Sequence, residues 1–233
     1  MQTPIKLLSF DLDDTLWPCL PTIMAAEKAH YRWMQQHVPV ICLHYTITQL
    51  AEKRRALMAA NPQWAHDLSR VRMESLRSLS LEFGLDFNWV QPAFNVFYRA
   101  RQQVKMFDDV APALDKLAQH YRLIALTNGN SDMQKTGIQP WFEFALSAAD
   151  AGEKKSKPAI YAMAMARAGV SASQCVHIGN DPEQDVLGAQ RAGIYSIWLN
   201  RTDIVWTQTD YWPDAQIGSL YELPDLLLSF CHV

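Results

Sequence analysis

The spacing of apolar residues changes character twice along the 233-residue chain. An apolar run at residues 5–10 predicts a short buried strand. Residues 18–104 instead place apolar residues at helical spacing, with breaks at Pro39, at Asn61-Pro62 and at Gly84. Helices are predicted there over residues 22–37, 48–60, 68–83 and 89–104.

Beyond residue 104, predicted strands alternate with predicted helices. The strands fall at residues 121–127, 144–148, 175–178 and 195–199, and the helices at residues 110–120, 159–168, 182–192 and 223–230. Pro158 and Gly169 bracket one helix, and Pro182 and Gly193 bracket another, as expected at helix ends. Such alternation of apolar strands with helices predicts a parallel sheet that helices cover on both faces.

The order of these segments predicts an α/β fold with an insertion. A doubly wound, Rossmann-like parallel sheet would be built from residues 1–17 and 105–233, and residues 18–104 would form a helical cap subdomain inserted after the first strand. Ligands of such sheets bind outside the carboxyl ends of the strands. The insertion leaves from that edge, so we expect it to cover the site.

Composition and charge exclude several classes of protein. The net charge of -3 predicts no nucleic-acid-binding face. The four cysteines, Cys19, Cys42, Cys175 and Cys231, form no Cys-x-x-Cys pair, so reduced thiols in a cytoplasmic protein are expected rather than a zinc site or disulfides. No stretch has the length and apolarity of a membrane span or a signal peptide, so no membrane partner is expected. The oligomeric state is left open.

Three carboxylates lie directly after the first predicted strand, in Asp11-Leu12-Asp13-Asp14-Thr15. Side chains at positions i and i+2 of an extended segment point the same way, so Asp11 and Asp13 should project together. Adjacent carboxylates resist full ionisation unless a cation or a shared proton lies between them. The pair therefore predicts either a metal site or a division into nucleophile and acid–base residue.

Polar residues also follow two other predicted strands. Thr127-Asn128 ends one of them, and Asn180-Asp181, with Asp185 nearby, follows another. The Thr127 hydroxyl and the Asn128 backbone N–H can hold phosphate oxygens at a strand end. Because a phosphate ester is a dianion, carboxylates here would repel it unless a divalent cation and a lysine offset the charge.

Three lysines are candidates for that positive charge. Lys157 is predicted to point inward, because Pro158 starts the next helix and fixes its position, whereas Lys154 and Lys155 are expected to form a solvated face.

Together these motifs resemble the haloacid dehalogenase-like hydrolase superfamily, in its phosphatase subset with a helical cap inserted after the first motif. The resemblance covers essentially the whole chain, and its four motifs are, in order, Asp11-Leu12-Asp13-Asp14-Thr15, Thr127-Asn128, Lys157-Pro158 and Gly179-Asn180-Asp181 with Asp185. Thr127-Asn128-Gly129-Asn130, Ser156-Lys157-Pro158 and, in the cap, His66-Asp67 make it similar to the YigB-like branch, which contains flavin-mononucleotide and related phosphatases of riboflavin metabolism.

The resemblance implies a role for each motif. Asp11 would attack phosphorus and form an aspartyl-phosphate, and Asp13 would act as acid and then as base. Mg²⁺ would be bound by the Asp11 carboxylate, the Asp13 backbone carbonyl and a residue of the fourth motif. The substrate would be a small phosphate ester, such as flavin mononucleotide or 5-amino-6-(5-phospho-D-ribitylamino)uracil.

One position departs from the family pattern. Asn180 stands where the family commonly has a metal-binding aspartate. Either Asn180 ligates the metal through its amide oxygen or Asp181 supplies the carboxylate, although Asp181 also suits a helix cap before Pro182. Asp185 would then not bind the metal directly but would orient Lys157 or a metal-bound water.

Asp67 and Arg72, in the predicted cap, leave two interpretations open. They could be a helix cap and a solvated charge, or they could face the cleft and contact the substrate beyond its phosphate.

Alternative functions remain. Asp13 favours phosphate esters, because a halide leaves carbon without needing a proton, yet a sugar-phosphate mutase or a dehalogenase on the same scaffold is possible. A catalytically weak binding or regulatory protein is a further alternative, indicated by Asn180 alone.

Overall fold

The computed structural model describes residues 4–229, so Cys231 and the last residue of the helix expected at 223–230 lie outside the described part. Within that part, six strands form a fully parallel sheet in the order β3-β2-β1-β4-β5-β6. The strands are β1 (Leu7–Phe10), β2 (Arg122–Thr127), β3 (Phe144–Ser147), β4 (Cys175–Gly179), β5 (Tyr195–Leu199) and β6 (Ala215–Ile217). The predicted α/β fold is confirmed.

The first five strands lie within a residue or two of their predicted positions, and β6 was not predicted. β6 has three residues with the polar Gln216 at its centre, and it pairs with β5 at the edge of the sheet. Such a short segment carries no apolar run, so its strand conformation depends on pairing with β5 rather than on its own composition.

The α-helices of the described chain follow the predicted pattern with a few differences. They are α1 (Cys19–His37), α2 (Pro39–His44), α3 (Ile47–Ala60), α4 (Leu68–Glu82), α5 (Val90–Arg101), α6 (Val110–Leu117), α7 (Met133–Thr136), α8 (Ala148–Ala151), α9 (Ala159–Ala168), α10 (Gly188–Arg191) and α11 (Leu223–Ser229). Pro39, expected to be a break, opens α2, because proline is well tolerated in a first helical turn. The helix expected at 182–192 begins as a π-helical turn, Pro182–Leu187, before α10.

The described chain divides into two compact units. Residues up to Pro18, Lys105–Gly129 and those from Met133 onward form the core unit, and Cys19–Val104 with Asn130–Asp132 form the helical unit. In the core unit, every residue of β1 and β4 is buried, as expected for central strands covered on both faces. The helical unit has its own apolar core, which includes Met34, Ile41 and Leu79.

Within residues 4–229, no helix has both the length and the apolar character that crossing a membrane requires.

Candidate active site

A pocket of about 150 Å³ opens in the core unit at the carboxyl ends of three neighbouring strands. Asp11 follows β1, Thr127 ends β2, and Asn180 follows β4; all three line the pocket. The sheet order places β1 between β2 and β4, so residues far apart in the chain meet here. The structure thus brings the first, second and fourth motifs together.

The turn after β1 orients the Asp13 side chain. The indole Nε1 of Trp17 donates a hydrogen bond to Asp13 Oδ1 at 2.9 Å, and Trp17 is fully buried. Asp14 has a φ of 60°, in the left-handed region that aspartate tolerates better than most residues, and its N–H bonds to the Trp17 carbonyl. Sequence reasoning missed Trp17, although its spacing of four residues from Asp13 was a visible signal.

Lys155, and not Lys157, occupies the position beside the Asp11 carboxylate. Lys155 Nζ donates to Asp11 Oδ1 and, at 2.7 Å, to Asp185 Oδ1, and the residue is 2 % exposed. Lys157 is exposed. The prediction that Lys157 points inward was therefore wrong, and Asp185 binds Lys155 rather than Lys157.

Two contacts made by the backbone of Lys155 explain why Lys155, rather than Lys157, points inward. The Lys155 N–H donates to Asn128 Oδ1 at 2.9 Å, which fixes residue 155 near the end of β2. Gly188 packs so closely that a Cβ there would lie 2.2 Å from the Lys155 carbonyl oxygen. The Lys157 N–H then closes a turn onto the Lys154 carbonyl, and the chain leaves the site before Pro158 begins to constrain it.

The side chains of Asp11, Lys155 and Asp185, which line the pocket, are packed together. Burial raises the pKa of the Asp11 carboxyl despite the opposing attraction of Lys155. Burial also disfavours the charged forms of Lys155 and Asp185, but the attraction of Asp11 and Asp185 outweighs it and raises the pKa of Lys155. Lys155 and the hydrogen bond from His177 likewise lower the pKa of Asp185. The Lys155 ammonium is thus the shared partner of the Asp11 and Asp185 carboxylates. If Asp11 is ionised, a further cation is needed to neutralise the charge of the group.

The two candidates for the metal ligand from the fourth motif have different surroundings. Thr15 Oγ1 lies 3.1 Å from Asp11 Oδ2 and 3.2 Å from Asn180 Oδ1, so the Asp11 carboxylate and the Asn180 amide oxygen share one hydroxyl neighbour. Asp181 instead caps the π-helical turn, because its carboxylate accepts from the N–H groups of Glu183 and Gln184. The predicted capping role of Asp181 is confirmed.

Asn128 ties three motifs together through its side chain. Its Oδ1 accepts from the Lys155 N–H, and its Nδ2 donates to Gln184 Oε1. Gln184 Nε2 in turn donates to Asp181 Oδ2 at 2.8 Å. Gln184 lines the pocket and was missed by sequence reasoning, since none of the four motifs identified in the sequence includes it.

Asp67 and Arg72 both have partners inside the helical unit. Asp67 caps α4 by accepting from the Arg70 N–H at 2.8 Å. Arg72 is 6 % exposed, donates to Glu27 at 2.7 Å, and lies over the Phe97 ring. The interpretation of Arg72 as a solvated charge is therefore wrong, and a contact with substrate would require this ion pair to open.

Comparisons with known proteins find similar chains. Residues 5–193 match the model of the haloacid dehalogenase-like hydrolase family. The chain is 29 % identical to the 5-amino-6-(5-phospho-D-ribitylamino)uracil phosphatase YigB of Escherichia coli (strain K12), over 96 % of each chain. It is 25 % identical to a phosphoserine phosphatase of Thermus thermophilus, over 94 % of this chain and 98 % of the other.

Among solved structures, a 2-haloacid dehalogenase from Pseudomonas syringae pv. Tomato DC3000 is similar to this chain, with a TM-score of 0.90 and 38 % identity. The match covers 97 % of this chain and 99 % of that protein.

Proposed function

The chain belongs to the haloacid dehalogenase-like hydrolase family, and we propose that it is a Mg²⁺-dependent phosphatase of small phosphorylated metabolites. The observation that carries the proposal is Asp13, which lines the pocket two residues after Asp11 and is oriented by the Trp17 indole. Cleavage of a phosphate ester needs a proton for the leaving oxygen, and a carboxyl group at this position can supply it. The phosphatases among the relatives support the same reaction.

The residues of the pocket divide the reaction between them. Asp11 attacks phosphorus as the P–O bond to the leaving group breaks, and Asp13 gives its proton to the departing oxygen. Asp13 then takes a proton from the water that hydrolyses the aspartyl-phosphate, so enzyme and proton count are restored. Lys155 holds Asp11 in place and offsets negative charge, while Thr127 and the Asn128 N–H bind phosphate oxygens.

Mg²⁺ fits the donors that line this pocket. Mg²⁺ prefers hard oxygen ligands and retains several waters, so it needs few protein groups besides the substrate phosphate. The described residues hold no cluster of three or more His, Cys, Asp and Glu suited to a metal, but the donors proposed here include an amide and a backbone carbonyl. Asp11, the Asp13 carbonyl and Asn180 would hold the ion, which would neutralise charge on the transferring phosphoryl group.

A phosphorylated ribityl or sugar compound is the proposed substrate class. Flavin mononucleotide and 5-amino-6-(5-phospho-D-ribitylamino)uracil are candidates, and the similarity to YigB over 96 % of both chains supports the second. The helical unit is proposed to act as the cap over the site, and the enzyme is proposed to work in the cytoplasm.

Dehalogenation is the second candidate, because the dehalogenase from Pseudomonas syringae is similar over nearly its whole length. A dehalogenase displaces halide from carbon, and halide leaves without a proton. Asp13 would then have no task as an acid, so the orientation of Asp13 by Trp17 favours the phosphatase.

A metabolite panel tests the proposal. With Mg²⁺, the protein is expected to release inorganic phosphate from at least one small phosphate ester, and EDTA is expected to abolish the release. Added Mg²⁺ should restore it. Chloride release from 2-chloropropionate, with no phosphate release across the panel, would favour the dehalogenase and contradict the proposal.

Separate substitutions of Asn180 and Asp181 test which of the two residues binds the metal. Asn180→Ala is expected to raise the Mg²⁺ concentration for half-maximal phosphatase activity by at least about tenfold, because it removes an oxygen donor beside Asp11. Asp181→Ser should change that concentration less than about threefold, since serine is also a good helix cap although it has no carboxylate or amide oxygen. The reverse ranking of the two variants in Mg²⁺ titrations would assign the metal to Asp181.

A further inference from the structure

A buried histidine lies directly behind the charged groups of the pocket. His177 is in the middle of β4, is 0 % exposed, and stands beside Ser9 of β1 in the sheet register. Ser9 Oγ lies 2.7 Å from His177 Nδ1, and His177 Nε2 lies 3.0 Å from Asp185 Oδ1. His177 thus connects the centre of the sheet to Asp185, and the proposed reaction leaves it without a task.

The partners of His177 determine which ring nitrogen carries the proton. Asp185 Oδ1 accepts from Lys155 Nζ and Oδ2 accepts from the Asp181 N–H, so this carboxylate acts as an acceptor. His177 Nε2 must then carry the hydrogen and donate it. A neutral ring, favoured by burial that lowers the pKa of His177, leaves Nδ1 to accept from the Ser9 hydroxyl.

The imidazole limits the positions that Asp185 can take. Asp185 is 1 % exposed, and its side chain packs so tightly on β4 that a Cβ on Gly179 would lie 2.3 Å from Asp185 Cγ. His177 itself is held by the edge-to-face Tyr161 ring, with centroids 5.1 Å apart. The neutral His177 ring donates a hydrogen bond that holds the Asp185 carboxylate in place, and it adds no positive charge that would compete with Lys155.

Lys155 is held between Asp185 on one side and Asp11 on the other. A shift of Asp185 would therefore move the ammonium relative to the carboxylate that attacks phosphorus. We propose that His177 is a positioning residue, which fixes Asp185 through its Nε2–H and thereby keeps the Lys155 ammonium hydrogen-bonded to the Asp11 carboxylate. This inference rests on the proposed phosphatase function.

Three replacements of His177 separate positioning from packing. Glutamine can place an N–H donor about where Nε2 lies, asparagine reaches only as far as Nδ1, and phenylalanine keeps the ring without a donor. We expect His177→Phe and His177→Asn to lower kcat by about 10- to 100-fold, with KM for the phosphate ester changed less than about threefold. His177→Gln should recover most of the lost kcat.

His30→Phe provides the matched control, because His30 is also a buried histidine but belongs to the helical unit. Its kcat, per folded molecule, should stay within about twofold of the original enzyme. A His177→Phe protein with the original kcat would overturn the positioning role, as would equal losses in the glutamine and phenylalanine variants. Absence of phosphatase activity in the unaltered enzyme would overturn the phosphatase proposal itself. That result differs from an active enzyme in which the His177 substitutions have no effect, which would overturn only the positioning role.

A spectroscopic measurement covers the case in which the His177 variants do not fold. In ¹⁵N spectra of the unaltered protein, the His177 ring is expected to carry its proton on Nε2 and none on Nδ1. A proton on Nδ1 with a bare Nε2 would overturn the inference, because Nε2 could not then donate to Asp185.

Discussion

Replacing Lys155 by methionine is expected to lower kcat for phosphate esters by about 100- to 1000-fold. The change removes the ammonium that binds Asp11 and Asp185, both nearly fully buried, so Asp11 loses its orientation and the pocket loses a positive charge. Two buried carboxylates would also remain without their cation, and we expect the free energy of unfolding to fall by about 3–5 kcal/mol. Steady-state kinetics and urea unfolding measure the two effects.

Lys157→Met is the matched control, since the same substitution is made two residues away on an exposed lysine. It should leave kcat within about twofold and the free energy of unfolding within about 0.5 kcal/mol. If Lys157→Met inactivated the enzyme while Lys155→Met did not, the lysine assignment made from the structure would be wrong.

Asp11→Asn is expected to abolish turnover, with a loss of at least about 1000-fold in kcat, because an amide cannot form the aspartyl-phosphate. The fold should remain intact. Lys155 keeps its partner Asp185, and the Thr15 hydroxyl can still donate to the amide oxygen of the new side chain. Kinetics with the best ester from the panel, together with circular dichroism, provide the measurement.

A second readout makes the Asp11 result specific. Rapid acid quench of the unaltered enzyme with ³²P-labelled ester should trap phosphate covalently on the protein, and Asp11→Asn should trap none. Near-normal turnover by Asp11→Asn, or label retained on that variant, would mean that another group attacks phosphorus.

The fold was predictable because its strands carry strong local patterns. Residues 122–127 of β2, Arg-Leu-Ile-Ala-Leu-Thr, form an apolar run that is buried from Leu123 onward, and such runs indicate a covered parallel sheet whatever surrounds them. β6 lacked that signal because Gln216 interrupts its three residues. The π-helical start at Pro182 was also hidden, since six residues are too few for the apolar spacing to distinguish a π turn from an α-helix.

The site was predictable where its residues end strands and unpredictable where long-range contacts decide. Asp11, Thr127 and Asn180 follow directly from the strand pattern. The choice between Lys155 and Lys157 depends on Asn128 and Gly188, which contact Lys155 from distant parts of the chain. The spacing of residues near Pro158 does not reveal those long-range contacts, so the prediction of Lys157 from its position before Pro158 was wrong.

The central place of β1 in the sheet has a consequence for how the protein is made. β1, which leads to Asp11, is synthesised before β2 and β4, which flank it and appear only after the helical segment has been translated. Until then Asp11 has neither Lys155 nor Asn180 beside it. The residues that surround Asp11 can therefore come together only after β4 has been synthesised, when these long-range strand pairings can form.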